Sequence, residues 1–512
     1  MSVNWFQKSL YKVFCVCFAL LYAWISWLCL REPQIKPMDY TVILTCAVVV
    51  GAVCLLMYRY LYRREYRRAR SIGSTNRDVL NLGIFFLIYL PIQIYVASQM
   101  YSIRGTSWDF NSVAGYAMDY AMAEDVSNYR EMMRGTSAAY YFSMWPNNIP
   151  LYILLGKVFR LFAGTGISLN AVGIGLNILA IDIAILFLYL SVRKATGTSC
   201  AACVSLFLAA LHIPLLIYVP IYYTDTLTLP YPIIGFYLWL KAKEEMGTGK
   251  MGKAPIYAVL MAALLGVGAV LKLSVLFFLI AAAVDGLVSI SFKRGVVLVI
   301  AILVVGIGLY MLLNQACLDS NMVVSDEEGC YIPKLHWVMM GLQGKGNYYD
   351  PDYQLTLSVP EEGRDELVRT MIRIRLENYG FKGMMDHLYR KISFVWSEGT
   401  YYSSLKIDRD RNGVSWIDTY VNWTGSQFTP YAEYCQGLLF LNYISFVVAA
   451  GTIVLSKPKR NQLLTVALIS IFGVFLFECI WEARSRYIFN YLPVFLTVTC
   501  SAWGNILNRR KQ

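Results

Sequence analysis

The chain has 512 residues, 57% of them hydrophobic and only 15% charged, whereas a soluble globule carries about 25% charged residues. This composition excludes a soluble enzyme and implies an integral membrane protein. The net charge of +12 does not point to nucleic acid, because the basic residues gather in short loops (63–70, 241–253, 293–294, 457–460, 509–511), the pattern of positively charged cytoplasmic loops.

Apolar runs of spanning length fall at roughly 10–30, 40–62, 79–100, 168–192, 199–219, 222–240, 255–271, 274–291, 295–314, 437–456, 462–480 and 487–505. The first lacks a small-residue cleavage site and is followed by further spans, so it reads as an anchor rather than a removed signal. Arg63, Arg64, Arg67, Arg68, Arg70 and Arg77 precede the third run and hold its start in the cytoplasm. With both termini inside, nearly all the basic loops become cytoplasmic. Asn147–Phe162 is short and contains Lys157 and Arg160; as a full crossing it would invert every later loop against the charge rule. It reads as a short, tilted or re-entrant helix, so the chain is expected to cross the membrane about 12 or 13 times.

Two segments stand outside the bundle. In 101–146 the residues Phe110, Val113, Ala114, Ala117, Met118, Ala121 and Met122 form an apolar stripe at helical spacing, with Asn111, Ser112, Asp119 and Tyr120 opposite, which predicts a helix lying on the membrane surface. A second helix is expected over about 124–134, stopping at Gly135. The other segment, 316–436, is long enough for a small lobe: Pro360 followed by Glu361 and Glu362 reads as a helix start, Gly380 as a stop, and a further helix is expected at about 381–396. Its glycine-rich stretch between Met340 and Asp350 reads as a loop that could close over a site. Nine of the twelve cysteines lie in or beside apolar runs, where a thiol behaves as a small hydrophobe. A Cys317–Cys330 bond is chemically open on an oxidising face, but no spacing motif requires it, and no metal-type cysteine pattern exists.

In this topology polar residues from distant parts of the chain converge on the outer rim: Asp109 after the third run, Tyr223 and Asp225 between the fifth and seventh, Lys272 at a span end, His336 in the lobe, and Glu478, Glu482, Arg484, Arg486 and Tyr487 between the last two runs. Each has a structural alternative. Lys272 can snorkel to the interface, Arg484 and Arg486 can pair with Glu478 and Glu482, Asp109 and Asp225 can cap helices, and His336 and the tyrosines can simply pack. Taken together they form the kit for glycosyl transfer from a lipid phosphate: one carboxylate to accept the proton of an attacking hydroxyl, and several cations to hold the departing phosphate. A single carboxylate suffices because the leaving group is already acidic, unlike in glycoside hydrolysis.

The succession Trp108-Asp109 after a span, the surface helix, Tyr141-Phe-Ser-Met-Trp-Pro-Asn-Asn148, Tyr223-Thr-Asp225, Lys272, and Glu482-Ala-Arg-Ser-Arg-Tyr487 before Pro493 resembles membrane glycosyltransferases of the GT-C superfamily. It is most similar to glycosyltransferase family 39, the relatives of protein O-mannosyltransferases and aminoarabinose transferases, in a Gram-positive form; His336-Trp-Val-Met-Met-Gly341 and Trp396-Ser-Glu-Gly-Thr-Tyr401 also resemble that group. The resemblance spans roughly residues 78–500. It implies an all-α polytopic GT-C-type bundle with a two-helix anchor and basic loop (1–77), a catalytic transmembrane module (78–315), an extracytoplasmic lobe (316–436) and C-terminal spans (437–512). It further implies an outward-facing site in a plasma membrane, a polyprenyl-phosphate sugar donor, and a glycan, glycolipid or protein acceptor. Asp109 matches the catalytic acid of the first outer loop, Lys272, Arg484 and Arg486 the phosphate ligands with His336 beside them, and Tyr223, Asp225, Glu482 and Tyr487 the surrounding substrate contacts. In some relatives an acid at the Asp225 position shares a divalent metal ion with the first. Many members carry adjacent acids in the first loop, whereas here Phe110 follows Asp109 and the pair Glu124-Asp125 lies a helix away. The competing class is a transporter or flippase of polyprenyl-linked saccharides, with Asp182 and Asp285 as acids inside spans.

Overall fold

The computed structural model describes residues 5–68, 74–100, 108–247, 252–289, 292–407, 415–455 and 461–509. Parts of the basic loops, including Arg70 and 457–460, and residues 101–107 of the first outer segment lie outside these. The described residues are helical with no strand. In chain order the first helices are α1 (Trp5–Arg31), α2 (Tyr40–Arg68) and α3 (Ser74–Ser98), then α4 (Asp109–Met122), α5 (Tyr129–Met133), α6 (Ser137–Met144) and α7 (Ile149–Phe162). The bundle continues with α8 (Leu169–Thr196), α9 (Ser199–Leu211), α10 (Ile213–Ile217), α11 (Thr224–Leu227), α12 (Pro230–Gly247), α13 (Ala254–Leu271), α14 (Leu276–Ser289) and α15 (Phe292–Leu318). The lobe holds α16 (His336–Gly341), α17 (Asp350–Leu357), α18 (Glu361–Trp396), α19 (Ser403–Lys406) and α20 (Trp416–Tyr420), and α21 (Phe428–Leu455), α22 (Thr465–Ile480) and α23 (Leu492–Arg509) close the chain.

This is a multi-pass, all-helical membrane protein. Seven helices, α1, α2, α3, α8, α13, α15 and α21, contain stretches long and apolar enough to cross a bilayer. The remaining apolar runs become shorter helices, and most of them stop short at the same end of the bundle. The run 199–219 ends α9 at Leu211 and restarts as α10, 222–240 is split between α11 and α12 by Pro230, and 274–291 and 487–505 begin with 3₁₀ turns at Leu273–Val275 and Ser485–Tyr491. Helix α22 ends at Ile480, before Trp481 turns extended. Non-helical backbone at this depth needs protein partners or a polar cavity. These breaks therefore mark the end of the bundle where polar groups can collect.

Helix α7 has 14 residues, about 21 Å at 1.5 Å per residue, too short for a hydrocarbon core of roughly 30 Å, and it packs along α4. Helix α4 buries Phe110, Val113, Ala114, Ala117 and Ala121 of the expected stripe, while Met118 is half-buried and Met122 at its end is exposed. The helix expected over about 124–134 is limited to α5. Asp125 takes the preceding turn out of the helix by accepting from Ser127 N at 2.8 Å and Ser127 Oγ at 2.7 Å.

In the lobe Gly380 adopts φ +53 and divides α18 into two helical arms, one on each side of the expected stop. Arg375 clamps Asp352 with two hydrogen bonds of 2.8 and 2.6 Å, tying α17 to α18. The glycine-rich loop, which the sequence left open as a lid or a plain loop, is docked on the bundle. A Cβ on Gly341 would stand 2.6 Å from the Ile480 carbonyl; Gly341 O accepts from Lys391 Nζ at 2.8 Å, and Gly346 O accepts from Ala483 N at 2.8 Å. Cys317 and Cys330 are both free thiols.

Candidate functional site

The interrupted helix ends bring most of the sequence-predicted residues together. Asp109 is the first residue of α4, but it is not the cap: Trp108 holds that position without a side-chain bond. The Asp109 carboxylate accepts from Tyr141 Oη at 3.0 Å; Tyr141 Oη accepts from Asn148 Nδ2 at 2.7 Å, and Asn148 Oδ1 accepts from Tyr223 Oη at 2.8 Å. Burial and the adjacent carboxylate push the Tyr141 phenol above its ordinary range, so its proton stays in place to be donated. This relay orients Asp109 through Oδ1, and its other oxygen accepts no hydrogen bond among the described residues.

One residue layer away, Asp225 is fully buried, with both oxygens taken: Lys272 Nζ donates to Oδ1 at 2.6 Å and Arg486 Nη1 to Oδ2 at 2.9 Å. Lys272 is therefore an inward ion-pair partner rather than a snorkelling side chain. The Arg486 guanidinium lies 4.7 Å from the Tyr487 ring centroid, 5.7 Å from Tyr223 and 5.8 Å from Trp108, and its Nε has no acceptor among the described residues. Arg484 donates to Tyr402 Oη in a short bond and pairs with Glu482 at 3.5 Å, while Glu482 also accepts from Tyr487 Oη at 2.7 Å and from Tyr348 N at 3.1 Å. Glu478, expected beside the arginines, is buried and neither of its oxygens has a hydrogen-bond partner among the described residues.

Two sequence expectations change here. His336, read as a phosphate ligand, lies in the lobe interior with Nδ1 2.9 Å from Thr356 Oγ1. Burial holds its pKa down at about 4 despite the nearby Asp352, with Arg375 adding to the depression, so at neutral pH it brings no positive charge to a phosphate. The divalent ion considered for Asp109 and Asp225 does not fit these side chains. Asp225 spends one oxygen on each of two cations, and no group of three or more His, Cys, Asp or Glu is arranged for a metal among the described residues.

Sequence reasoning missed Lys406 and understated Glu398. The buried Glu398 carboxylate accepts from Thr400 N at 2.9 Å, Thr400 Oγ1 in a short bond, Tyr402 N at 2.5 Å and Ser485 Oγ at 2.5 Å. It holds Tyr401 and Tyr402 in the left-handed region, φ 51 and 64, a conformation that bulky side chains adopt only under constraint. That turn delivers Lys406 to the site, with its Nζ 3.8 Å from the centroid of the Trp108 ring. The one hint in the sequence was the Trp396–Tyr401 segment. Behind Tyr141, Tyr116 forms part of an open cavity of about 190 Å³ that Asp119, Tyr129, Thr136 and Ser137 also line.

Fold and site together define a multi-pass membrane protein whose bundle gathers several acids, several cations and aromatic rings at one end. The chain matches the family described as conserved hypothetical integral membrane protein over residues 2–506, and it belongs to that family. No curated relative matches it. Among solved structures it is similar to the archaeal oligosaccharyltransferase AglB from Archaeoglobus fulgidus, solved in complex with an inhibitory peptide and a dolichol-phosphate, with 13% identity and a TM-score of 0.36. That similarity covers 78% of this chain and 50% of the other, so this chain spans half the length of that protein.

Proposed function

We propose that the protein is a GT-C-type glycosyltransferase that moves a sugar from a polyprenyl-phosphate donor to an acceptor hydroxyl on the outer face of the plasma membrane. The observation that carries this reading is the pairing of an oriented carboxylate, Asp109, with a neighbouring group of cations, Lys272, Arg484 and Arg486, and with the amine of Lys406, across the rings of Trp108 and Tyr223. Asp109 takes the proton of the acceptor hydroxyl as its oxygen attacks the anomeric carbon. The bond from that carbon to the phosphate oxygen breaks on the opposite side, so the configuration inverts and the electron pair leaves with the phosphate. Lys272, Arg484 and Arg486 stabilise that charge better as it develops than before, which is the condition for catalysis. Asp225 and Glu482 hold these cations in place, and Tyr223 and Tyr487 wall the donor. An acceptor glycan, glycolipid or protein would approach over the α4–α6 face, where hydroxyls and aromatic rings border the cavity.

The transporter reading would use the same lipid-phosphate cations without Asp109 as a base, and transporters bury polar residues near mid-membrane, where Asp182 and Asp285 are the candidates. Asp285 is enclosed by Tyr11 Oη at 2.6 Å, Trp239 Nε1 at 2.7 Å and Lys243 Nζ at 2.8 Å, and Asp182 accepts from Gln93 Nε2 at 3.1 Å.

The test is sugar transfer by purified protein supplied with polyprenyl-phosphate hexoses and membrane acceptors. Asp109→Asn should lower the rate about 10²–10⁴-fold, the usual contribution of a general base, without lowering thermal stability. An unchanged rate in the asparagine variant sinks the general-base role. Movement of lipid across vesicles with no donor consumed by wild type supports the transporter instead.

A further inference from the structure

Every other cation of the site already has an acidic partner. Lys272 and Arg486 share Asp225, and Arg484 faces Glu482. Lys406 has no carboxylate partner among the described residues. Its amine stands over the Trp108 ring at 3.8 Å and near the Tyr402 ring at 5.4 Å, and Trp108 directly precedes the proposed base. An amine enclosed by aromatic faces and other cations is a costly arrangement, and no carboxylate among the described residues bonds to it. The turn that creates it is itself held against the left-handed strain of two consecutive tyrosines by Glu398, whose bond to Ser485 ties Lys406's loop to the segment carrying Arg484 and Arg486. The fold thus maintains an amine with no carboxylate partner among the described residues at a place where an anion would be bordered by Arg484, Arg486 and Lys406.

We propose that Lys406 is a further ligand of this site, binding a phosphodiester group that enters between Trp108 and Tyr402 and taking up one proton as it binds. The inference rests on the functional reading above, which it deepens by adding a residue and a proton to donor binding. The charged groups facing Lys406 are Arg486 and Arg484, which disfavour its protonation, and Asp109 and Asp225, which favour it. Burial is the largest influence, and together these hold the amine's pKa down to about 6. The free site therefore holds Lys406 neutral at pH 7.5. An incoming diester brings a permanent negative charge beside the amine, which raises its pKa and draws a proton from solvent. The proton goes to Nζ, no covalent bond changes, and the resulting ammonium donates to a phosphate oxygen. Glu398 acts here as a positioning residue, since it fixes the turn without facing the ligand.

The experiment is calorimetric titration of the full-length protein in detergent with methyl farnesyl phosphate, a diester that does not itself titrate near neutrality, in two buffers of different ionisation enthalpy. Wild type should take up close to one proton per lipid at pH 7.5, and its affinity should fall about tenfold per pH unit above 6.5 until the bound amine also titrates. Lys406→Arg, which stays charged, should keep micellar binding but show no uptake and no pH slope; Lys406→Met should show neither uptake nor slope and bind at least tenfold more weakly. Zero uptake by wild type, or wild-type affinity and uptake in Lys406→Met, overturns the proposal, and a merely structural role for Lys406 predicts no difference in slope between wild type and Lys406→Arg. Dimethyl phosphate tests the source of the group: binding at least tenfold weaker than the lipid diester assigns the site to a lipid headgroup, and equal affinity assigns it to soluble phosphodiesters. Proton-linked diester binding without any sugar transfer would overturn the glycosyltransferase reading and keep this one. Sugar transfer that depends on Asp109, with Lys406→Met binding as wild type does, would do the reverse.

Discussion

The two ends of the bundle both bury an aspartate with cationic company, yet they are built to opposite effect. At one end Asp285 receives Tyr11 on Oδ1 and Trp239 and Lys243 on Oδ2, so one acid on α14 satisfies three donors from two other helices, α1 and α12. Nearby, Asp78 accepts from Tyr189 Oη at 2.6 Å and Ser199 Oγ at 2.7 Å and pairs with Arg193 at 3.3 Å. At the other end Asp225 and Glu482 neutralise only part of a larger set of cations, and among the described residues the Arg486 Nε lacks an acceptor and Lys406 has no carboxylate partner. A closed network holds helices together. An open one has unused donors, and donors left unused in a buried place are worth their cost only if a ligand completes them.

The largest expected effect is therefore a contrast between two matched substitutions. Asp225→Ala and Asp285→Ala each strand buried cations, and each should cost about 3–5 kcal/mol in unfolding experiments. Only the first should bind an anion more tightly than wild type does. Asp285→Ala keeps the lipid site and should gain the same stability from methyl farnesyl phosphate as wild type, about 2.7 kcal/mol at 100 times its Kd, whereas Asp225→Ala should gain more at that same concentration, because Lys272 and Arg486 then have a new partner. Sugar transfer should fall at least about 10²-fold in Asp225→Ala through misplacement of the phosphate, and hold in the folded fraction of Asp285→Ala. Equal gains in both variants would erase the distinction between the two ends.

Much of this contrast was legible in the sequence, and the parts that were not share a cause. Hydropathy located the spans, the spacing from Phe110 to Met122 gave the surface helix, and Gly380 marked the break in α18, because each depends on a local pattern. Asp225, Lys272 and Arg486 could be expected on one rim because their places at span ends follow from topology. Lys406 could not, since its meeting with Trp108 joins positions about 300 residues apart through a turn with no periodicity. His336 was assigned from its side of the membrane, while its charge depends on burial, which no motif reports. The glycines between 341 and 346 suggested a loop that could close, but Gly341 lets backbone approach backbone at Ile480 and Trp481, and Gly346 packs against the Lys391 side chain.

His336 sharpens the comparison from outside the cluster. Its folded pKa of about 4 lies below the ordinary 6.5, so between those values the unfolded chain binds a proton that the folded one does not. Stability is therefore intact above about pH 6.5 and declines as pH falls toward about 4, by up to about 3 kcal/mol. His336→Asn should flatten that acid limb in thermal unfolding while leaving the proton uptake on diester binding unchanged. A variant that altered uptake instead would place His336 electrically within the site.

The smallest effect tests the reason for the open end most directly. A lysine held neutral at pH 7.5 costs folding free energy, because the unfolded chain keeps it protonated up to its ordinary 10.5. For this group the folded pKa is lowered, so its contribution becomes less unfavourable as pH rises from about 6 toward 10.5. Replacing the amine by a group of similar length with no charge removes the cost. Lys406→Met should therefore be more stable than wild type at neutral pH, by about 1–2 kcal/mol after allowance for partial solvent screening, even though it binds the phosphodiester more weakly. The matching change at the closed end, Lys243→Met, should destabilise, since it leaves an oxygen of Asp285 without its cation. Opposite signs from the same chemical substitution would separate a lysine that holds the fold from one the fold keeps for a ligand; the same sign at both ends would mean that Lys406 is an ordinary buried contact.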